Sequence, residues 1–252
     1  MRQEEMHFQK RLFDLAQKAY MENRYRFTHF LNEMEQDIVL QSEQEFPVAV
    51  SLFGGNSICE RKVAMFGEET KFGYAPQWPV ALLRFTAVSK KFAEDLTHRD
   101  VLGALMNLGM EREMIGDIFL QEKEGYIFCV DTMADYITEQ LGKIRHTIVH
   151  IEQVPLSVAG QLELSKGEPR QLLVASLRLD AVVAAVYHVS RQESQKWIRE
   201  KRVFIGGRLS ENNSGQLLKQ CMVSVRGKGR FYFDGVVAET KKQKLKISII
   251  QY

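Results

Sequence analysis

The chain has 252 residues, 45% hydrophobic and 26% charged, with a net charge of only +2, so it builds a folded core and is not a disordered polyelectrolyte. It has no apolar run of the ~18 residues a membrane span needs, and the charged start, MRQEEMHFQKRLFDLAQK, lacks an export signal's apolar centre, so a cytoplasmic protein is expected. Its three cysteines, Cys59, Cys129 and Cys221, form no CxxC pair; neither a zinc site nor a disulfide framework is expected, and no cofactor.

In chain order, the first segment covers 1–79. Phe8, Leu12, Leu15, Ala16 and Ala19 recur at helical spacing and predict an amphipathic helix; a second covers Asn32 to Gln44. Val48 to Phe53 reads as a strand ending at Gly54-Gly55, with Arg61 to Phe66 as its partner.

The second segment covers 80–155. Val80–Val88 reads as a strand, His98–Leu108 as a helix stopped by Gly109, and Ile115–Gln121 and Tyr126–Val130 as strands with Glu124-Gly125 at their turn. Met133–Ile144 reads as a helix and Thr147–Gln153 as a strand. The order β-α-β-β-α-β is that of ferredoxin-like, RRM-like domains, which host many functions. Tyr126 and Phe128 share one face of their strand and are expected mainly in the core. Residues 156–171 read as a linker, with a short strand at Gln161 to Leu164 as an option.

The last segment, 172–252, carries the strongest signal. From Arg170 onward there are 16 Lys and Arg against 6 Asp and Glu, a net of +10, whereas the residues before it sum to −8. Such segregation points to a polyanion as partner. Leu179, Val182, Val183 and Val186 form one apolar helical face. Ser190-Arg-Gln-Glu193 reads as a capping box opening a second helix, with Ser194, Trp197 and Ile198 inward. Arg191, Gln195, Arg199 and Arg202 fall on one polar stripe, and guanidinium suits phosphate through its two-pronged donor geometry. Gly206-Gly207 predicts a tight hairpin, and Met222–Arg226 a strand. Arg226-Gly-Lys-Gly-Arg230 is a basic turn, and Lys242, Lys244 and Lys246 line one face of a last strand.

Leu177-Arg-Leu-Asp180, Val189-Ser-Arg191, Ser194, Ile205-Gly-Gly-Arg208 and Val223-Ser-Val-Arg-Gly227 resemble the S-four domain, named after the fourth small-subunit ribosomal protein. That resemblance implies two helices on a small sheet (the αL-type module, core 178–238) binding structured RNA, with Arg178, Ser190, Arg191, Lys196, Lys201 and Arg202 at RNA-contacting positions. The full expected RNA-binding set adds Ser194, Arg199, Arg226, Lys228 and Arg230.

Upstream, Phe53-Gly-Gly55, Glu60-Arg-Lys62, Leu96-Thr-His-Arg-Asp-Val-Leu-Gly-Ala-Leu105 and Ile115-Gly-Asp-Ile118 resemble the YlmH family of bacterial S-four proteins. This implies an α+β chain: a helical and strand N-terminal region, a ferredoxin-like domain, then the S-four module. It also implies a ribosome-associated factor with rRNA, tRNA and the large subunit as partners; a monomeric, non-enzymatic protein is expected, with neither DNA nor membrane as partner. The family is linked to rescue of stalled large subunits; a role in cell division or photosystem assembly is the alternative process.

Enzyme readings are weaker. Arg178-Leu-Asp180 also resembles the catalytic-aspartate motif of pseudouridine synthases, yet it lies at a helix start inside the module. His98-Arg-Asp100 echoes a kinase loop without the other kinase motifs. His146 and His150 lie in turn and strand, where four-residue spacing does not converge on a metal, and Gly54-Gly55-Asn56 lacks a phosphate-loop ending. No catalytic or metal-binding residue is assigned.

Overall fold

In the computed structural model, residues 3–56, 59–89, 94–121, 124–161, 168–217, 220–240 and 244–252 are described. The chain is mixed α and β and divides into two compact units, Met1–Leu162 and Glu163–Tyr252.

The first unit opens with α1 (Gln3–Glu22), which buries Leu12, Ala16 and Ala19. Then come β1 (Arg26–Leu31), α2 (Glu33–Gln41), β2 (Val50–Phe53), β3 (Lys62–Phe66) and the short α3 (Glu69–Phe72). α2 starts where the sequence places it, because Asn32 and Glu35 form a reciprocal capping box. β2 pairs with β3 as expected, but β1, unread in the sequence, pairs on the other side of β3.

The same unit continues with β4 (Val80–Ala87), α4 (His98–Asn107), β5 (Ile115–Gln121), β6 (Glu124–Val130), α5 (Ala134–Gln140), β7 (Lys143–Ile144) and β8 (Thr147–Val154). The sheet order is β5-β6-β4-β8-β7. Val101 and Leu105 of α4 and Ile137 of α5 pack with Leu83, Phe85, Ile127, Val149 and Ile151 of the sheet. Two expectations need correction. Glu124 and Gly125 are not turn residues: they pair with Gln121 and Leu120 inside the ladder. Gly125 is there because a Cβ would stand 2.4 Å from the Phe85 ring, so close packing rather than a turn requires the glycine. The helix predicted to Ile144 ends at Gln140, and Lys143-Ile144 pairs with β8 instead.

The boundary read at 79/80 lies inside one unit. Arg61 explains the join. Its guanidinium donates to the carbonyls of Phe30 (2.7 Å) and Ile115 (3.1 Å), while Asp117 accepts from the backbone N–H groups of Glu60 (2.6 Å) and Arg61 (3.0 Å).

The second unit contains β9 (Glu168–Val174), α6 (Leu179–Tyr187), α7 (Arg191–Arg199), β10 (Val203–Ile205), β11 (Arg208–Leu209), β12 (Cys221–Val225), β13 (Gly229–Glu239) and β14 (Leu245–Gln251), in a sheet ordered β11-β10-β12-β13-β14-β9. The connector read over 156–171 is therefore partly strand: β9 pairs with β14 along its whole length, from Glu168↔Gln251 to Val174↔Leu245. Of the optional strand at Gln161 to Leu164, Gln161 closes a 3-10 helix (Leu156–Gln161) and the rest lies outside the described residues, as does the face position of Lys242. Val182, Val183 and Val186 of α6 and Trp197 and Ile198 of α7 pack with Val223, Val225, Phe231, Phe233, Ile247 and Ile249. Gly206-Gly207 makes the predicted two-residue hairpin: both have positive φ (53° and 70°), the conformation that matches strand twist and that side chains resist.

Candidate nucleic-acid interface

Five of the expected RNA-contacting cations, Arg178, Arg191, Arg202, Arg226 and Lys228, fall into two groups, one at each end of α7. At its start, the side chain of Asp180 is fully buried between the helices. Its oxygens accept from Arg178 (3.1 and 3.2 Å), Arg191 (3.2 Å) and Gln195 (2.7 Å). Burial pushes the Asp180 carboxyl up, but the hydrogen bonds of Arg178, Gln195 and Arg191 outweigh it and hold the group down to about 2. The two arginine side chains remain open to solvent, 37% and 51% exposed, so one buried anion fixes two cations at the surface.

The α6 N-terminus itself offers little to an anion. The N–H groups of Leu179 and Asp180 already donate to the carbonyls of Gly215 and Asn213. Only half of the predicted capping box forms at α7. Ser190 Oγ accepts from the Glu193 N–H (3.1 Å), but the Glu193 carboxylate turns up the helix and accepts from the Trp197 indole N–H (2.9 Å). That partner is stronger for the fold because it satisfies a buried indole.

At the other end, α7 stops at Arg199. Lys201 takes a left-handed conformation (φ 59°), and the Arg202 N–H closes back on the Trp197 carbonyl (3.0 Å). Arg202 therefore leaves the helical stripe. Its guanidinium donates to the Arg226 carbonyl (2.7 and 3.2 Å) and lies 5.6 Å from the Trp197 ring centre. Lys228 sits over the same ring at 5.3 Å. The basic turn is thus clasped to the end of α7, with Arg226 over Phe204 (4.6 Å) and Arg230 over Tyr252 (5.4 Å).

The structure brings together Arg178 with Arg191, and Arg202 with Arg226 and Lys228. Lys196 and Arg199 are exposed on α7 between these groups. Lys201 pairs with Glu211 at 3.0 Å, both well exposed, and Ser190 is exposed with its oxygen engaged in the cap. Ser194 does not belong to the surface: it is fully buried and its hydroxyl donates to the Asp180 carbonyl (2.7 Å), so it fixes the helix crossing. Gln195 and Trp197 also enter these two groups, the first through Asp180 and the second under Arg202 and Lys228. Gln195 lies on the polar stripe predicted from sequence, whereas nothing near Trp197 in the sequence places its ring against the basic turn.

The first unit looks different. Tyr126 and Phe128 are buried, 6% and 0% exposed, as read from the sequence, so that strand offers no open rings to bases. Burial pushes the thiols of Cys59 and Cys129 up to about 12, which makes them poor nucleophiles. Among the described residues, no group of three or more His, Cys, Asp or Glu is placed to hold a metal, and no helix is long and apolar enough to cross a membrane.

Comparison with known proteins adds the first unit to the RNA question. Residues 77–158 match the family described as "Putative RNA-binding domain in YlmH". Over 236 residues the chain is 30% identical to the ribosome-associated protein quality control protein P2 of Bacillus subtilis (strain 168), covering 93% of this chain and 91% of that protein. A solved structure, the cell division protein ylmH from Streptococcus pneumoniae, is similar in fold, with a TM-score of 0.50 at 21% identity over 63% of this chain and 95% of that one.

Proposed function

Because the chain belongs to the YlmH family, we propose that it is a non-enzymatic, monomeric RNA-binding protein that works on the ribosome, contacting rRNA and tRNA on the large subunit during rescue of stalled translation. The observation that carries this reading is the cation set around α7, with Arg178 and Arg191 pinned by buried Asp180 and Arg202, Arg226 and Lys228 gathered around Trp197. Fixed guanidiniums meet phosphates in defined positions, which suits folded RNA better than a diffuse charge. The relative's name supports the ribosome and the quality-control process.

The fold supports the same division of labour. We read residues 80–155 as a ferredoxin-like domain, since β5-β6-β4-β8 carries that order, and 172–252 as an S-four module of two helices on a sheet. Asp180 supports a binding rather than a catalytic role: its carboxylate is buried and already committed to three donors.

Sedimentation with ribosomes over a salt series tests the reading. Lys196→Ala/Arg199→Ala/Lys228→Ala should weaken binding and flatten the dependence of log affinity on log salt by about 0.7 to 0.9 per lost phosphate contact. Unchanged co-sedimentation at every salt concentration would remove this surface from the interface.

A further inference from the structure

The sheet of the second unit has two faces. Val223, Val225, Phe231, Phe233, Ile247 and Ile249 point towards the helices and are buried. The residues alternating with them point the other way. Phe204, Ser224, Arg230 and Tyr252 form one row across that outer face: Phe204 pairs with Ser224, Ser224 with Arg230, and the Tyr252 N–H donates to the Arg230 carbonyl (3.0 Å). Met222, Tyr232, Ile250 and Pro169 form the next row. All eight are at least partly exposed, Tyr252 by 38%.

Three aromatic rings on an open sheet face, two of them under guanidiniums, form a surface of definite chemistry. The nearby charges are mainly positive: Arg226, Arg230 and Lys246, against Asp234, which accepts from Gln220. Unstacked bases gain from aromatic faces while cations follow their phosphates; a duplex, with its bases already stacked inside, cannot use such rings. The basic turn joins the two sides of the unit. Lys228 lies over Trp197 under the helices, and two residues earlier Arg226 lies over Phe204 on the outer face.

We propose that this outer sheet face is a second RNA surface, which takes a single-stranded segment continuing round the basic turn from the RNA held at α7. The proposal rests on the RNA-binding reading above and adds to it the class of RNA recognised, a junction between folded and unpaired strands.

The test titrates the full chain with two probes: a single strand of about ten nucleotides carrying 2-aminopurine, and a blunt RNA duplex of similar length. Stacking quenches 2-aminopurine. Tyr232→Ala/Tyr252→Ala should weaken single-strand binding about tenfold or more and abolish the quench while leaving duplex affinity unchanged. Tyr232→Phe/Tyr252→Phe should keep both affinity and quench. Lys196→Ala/Arg199→Ala should weaken the duplex and leave the quench in place. Should the double alanine variant fail to fold, Tyr252→Ala alone, at an exposed position, should still cost about threefold on the single strand. Full single-strand affinity and quench in the alanine variants would overturn the proposal and leave the face to a protein partner. Failure of the unaltered protein to bind either probe would instead overturn the RNA reading as a whole.

Discussion

Asp180 is buried and Asp117 half-buried, and each lies close to two arginines, yet the two clusters do opposite things. Around Asp117 the arginines look inward: Arg61 donates to the carbonyls of Phe30 and Ile115, and Arg112 to those of Ile115 and Gly116, while the carboxylate itself takes backbone N–H groups. These bonds hold loops together. Around Asp180 the carboxylate takes the arginine side chains directly, and their outer edges stay in water. The titrations diverge too. Burial raises the Asp117 carboxyl above its usual range despite the backbone donors, whereas Asp180 ends at about 2. The same ingredients make a clasp in one unit and a pedestal for cations in the other, and the difference lies in whether the guanidinium faces carbonyls or solvent.

The largest expected effect comes from breaking the clasp. Arg61→Ala removes two charge-assisted hydrogen bonds, to the Phe30 and Ile115 carbonyls, of which the second keeps Arg112 as a donor, so the first unit should lose about 3–5 kcal/mol. Urea unfolding followed through Trp78 in a Trp197→Phe background measures it, and an unfolding midpoint unchanged from the parent would refute the clasp.

The pedestal should fail differently. Asp180→Asn removes the anion but strands no buried cation, because Arg178 and Arg191 can turn to water. RNA affinity should fall about tenfold, the worth of one charged hydrogen-bond partner, with a smaller loss of stability of about 1–3 kcal/mol. Equal affinity of variant and parent for the RNA duplex would show that Asp180 does not position the arginines.

Acid should separate the two clusters by sign. A carboxyl held low stabilises the fold above its unfolded value, near 3.9, and that contribution fades as pH falls towards about 2; this is Asp180. A carboxyl held high favours folding while protonated, and its contribution fades as pH rises through the folded value; this is Asp117. Stability curves between pH 2 and pH 6, read at Trp197 with Trp78→Phe, should lose their acid limb on Asp180→Asn, as proton linkage requires for a depressed carboxyl group. Curves read at Trp78 should change in the opposite sense on Asp117→Asn. The smallest effect belongs to Arg191→Lys, which keeps the charge but loses the two-pronged geometry; about a threefold loss of RNA affinity is expected from competition binding.

Much of this was legible from local pattern. The helix start at Ser190, the Gly206-Gly207 turn and the apolar face Leu179–Val186 each depend on neighbours within a few residues, and each stands where the sequence puts it. What stayed hidden depends on distant partners. Asp180 meets Arg191 and Gln195 eleven and fifteen residues on, across a helix crossing. Glu193 abandons half of its capping box for Trp197, a choice that only the packed core decides. β13 is not legible although Phe231 and Phe233 alternate with polar residues, because Gly227, Gly229 and Gly235 break the run and read as loop. β1 is not legible because Arg26–Leu31 alternates poorly and follows directly on a long helical pattern.

The bonds that hold Arg178, Arg191 and Arg202 in place also alter the thermodynamics of an encounter. An arginine free in water gives up about 2 kcal/mol of rotamer entropy when a ligand immobilises it. Here much of that freedom is already gone before any phosphate arrives. Association should therefore carry a smaller entropic loss than the same charges would impose on flexible lysine tails. The accompanying cost is tolerance: cations held in place follow differently spaced phosphates less readily, so an RNA bound on this surface should be selected by geometry more than by total charge.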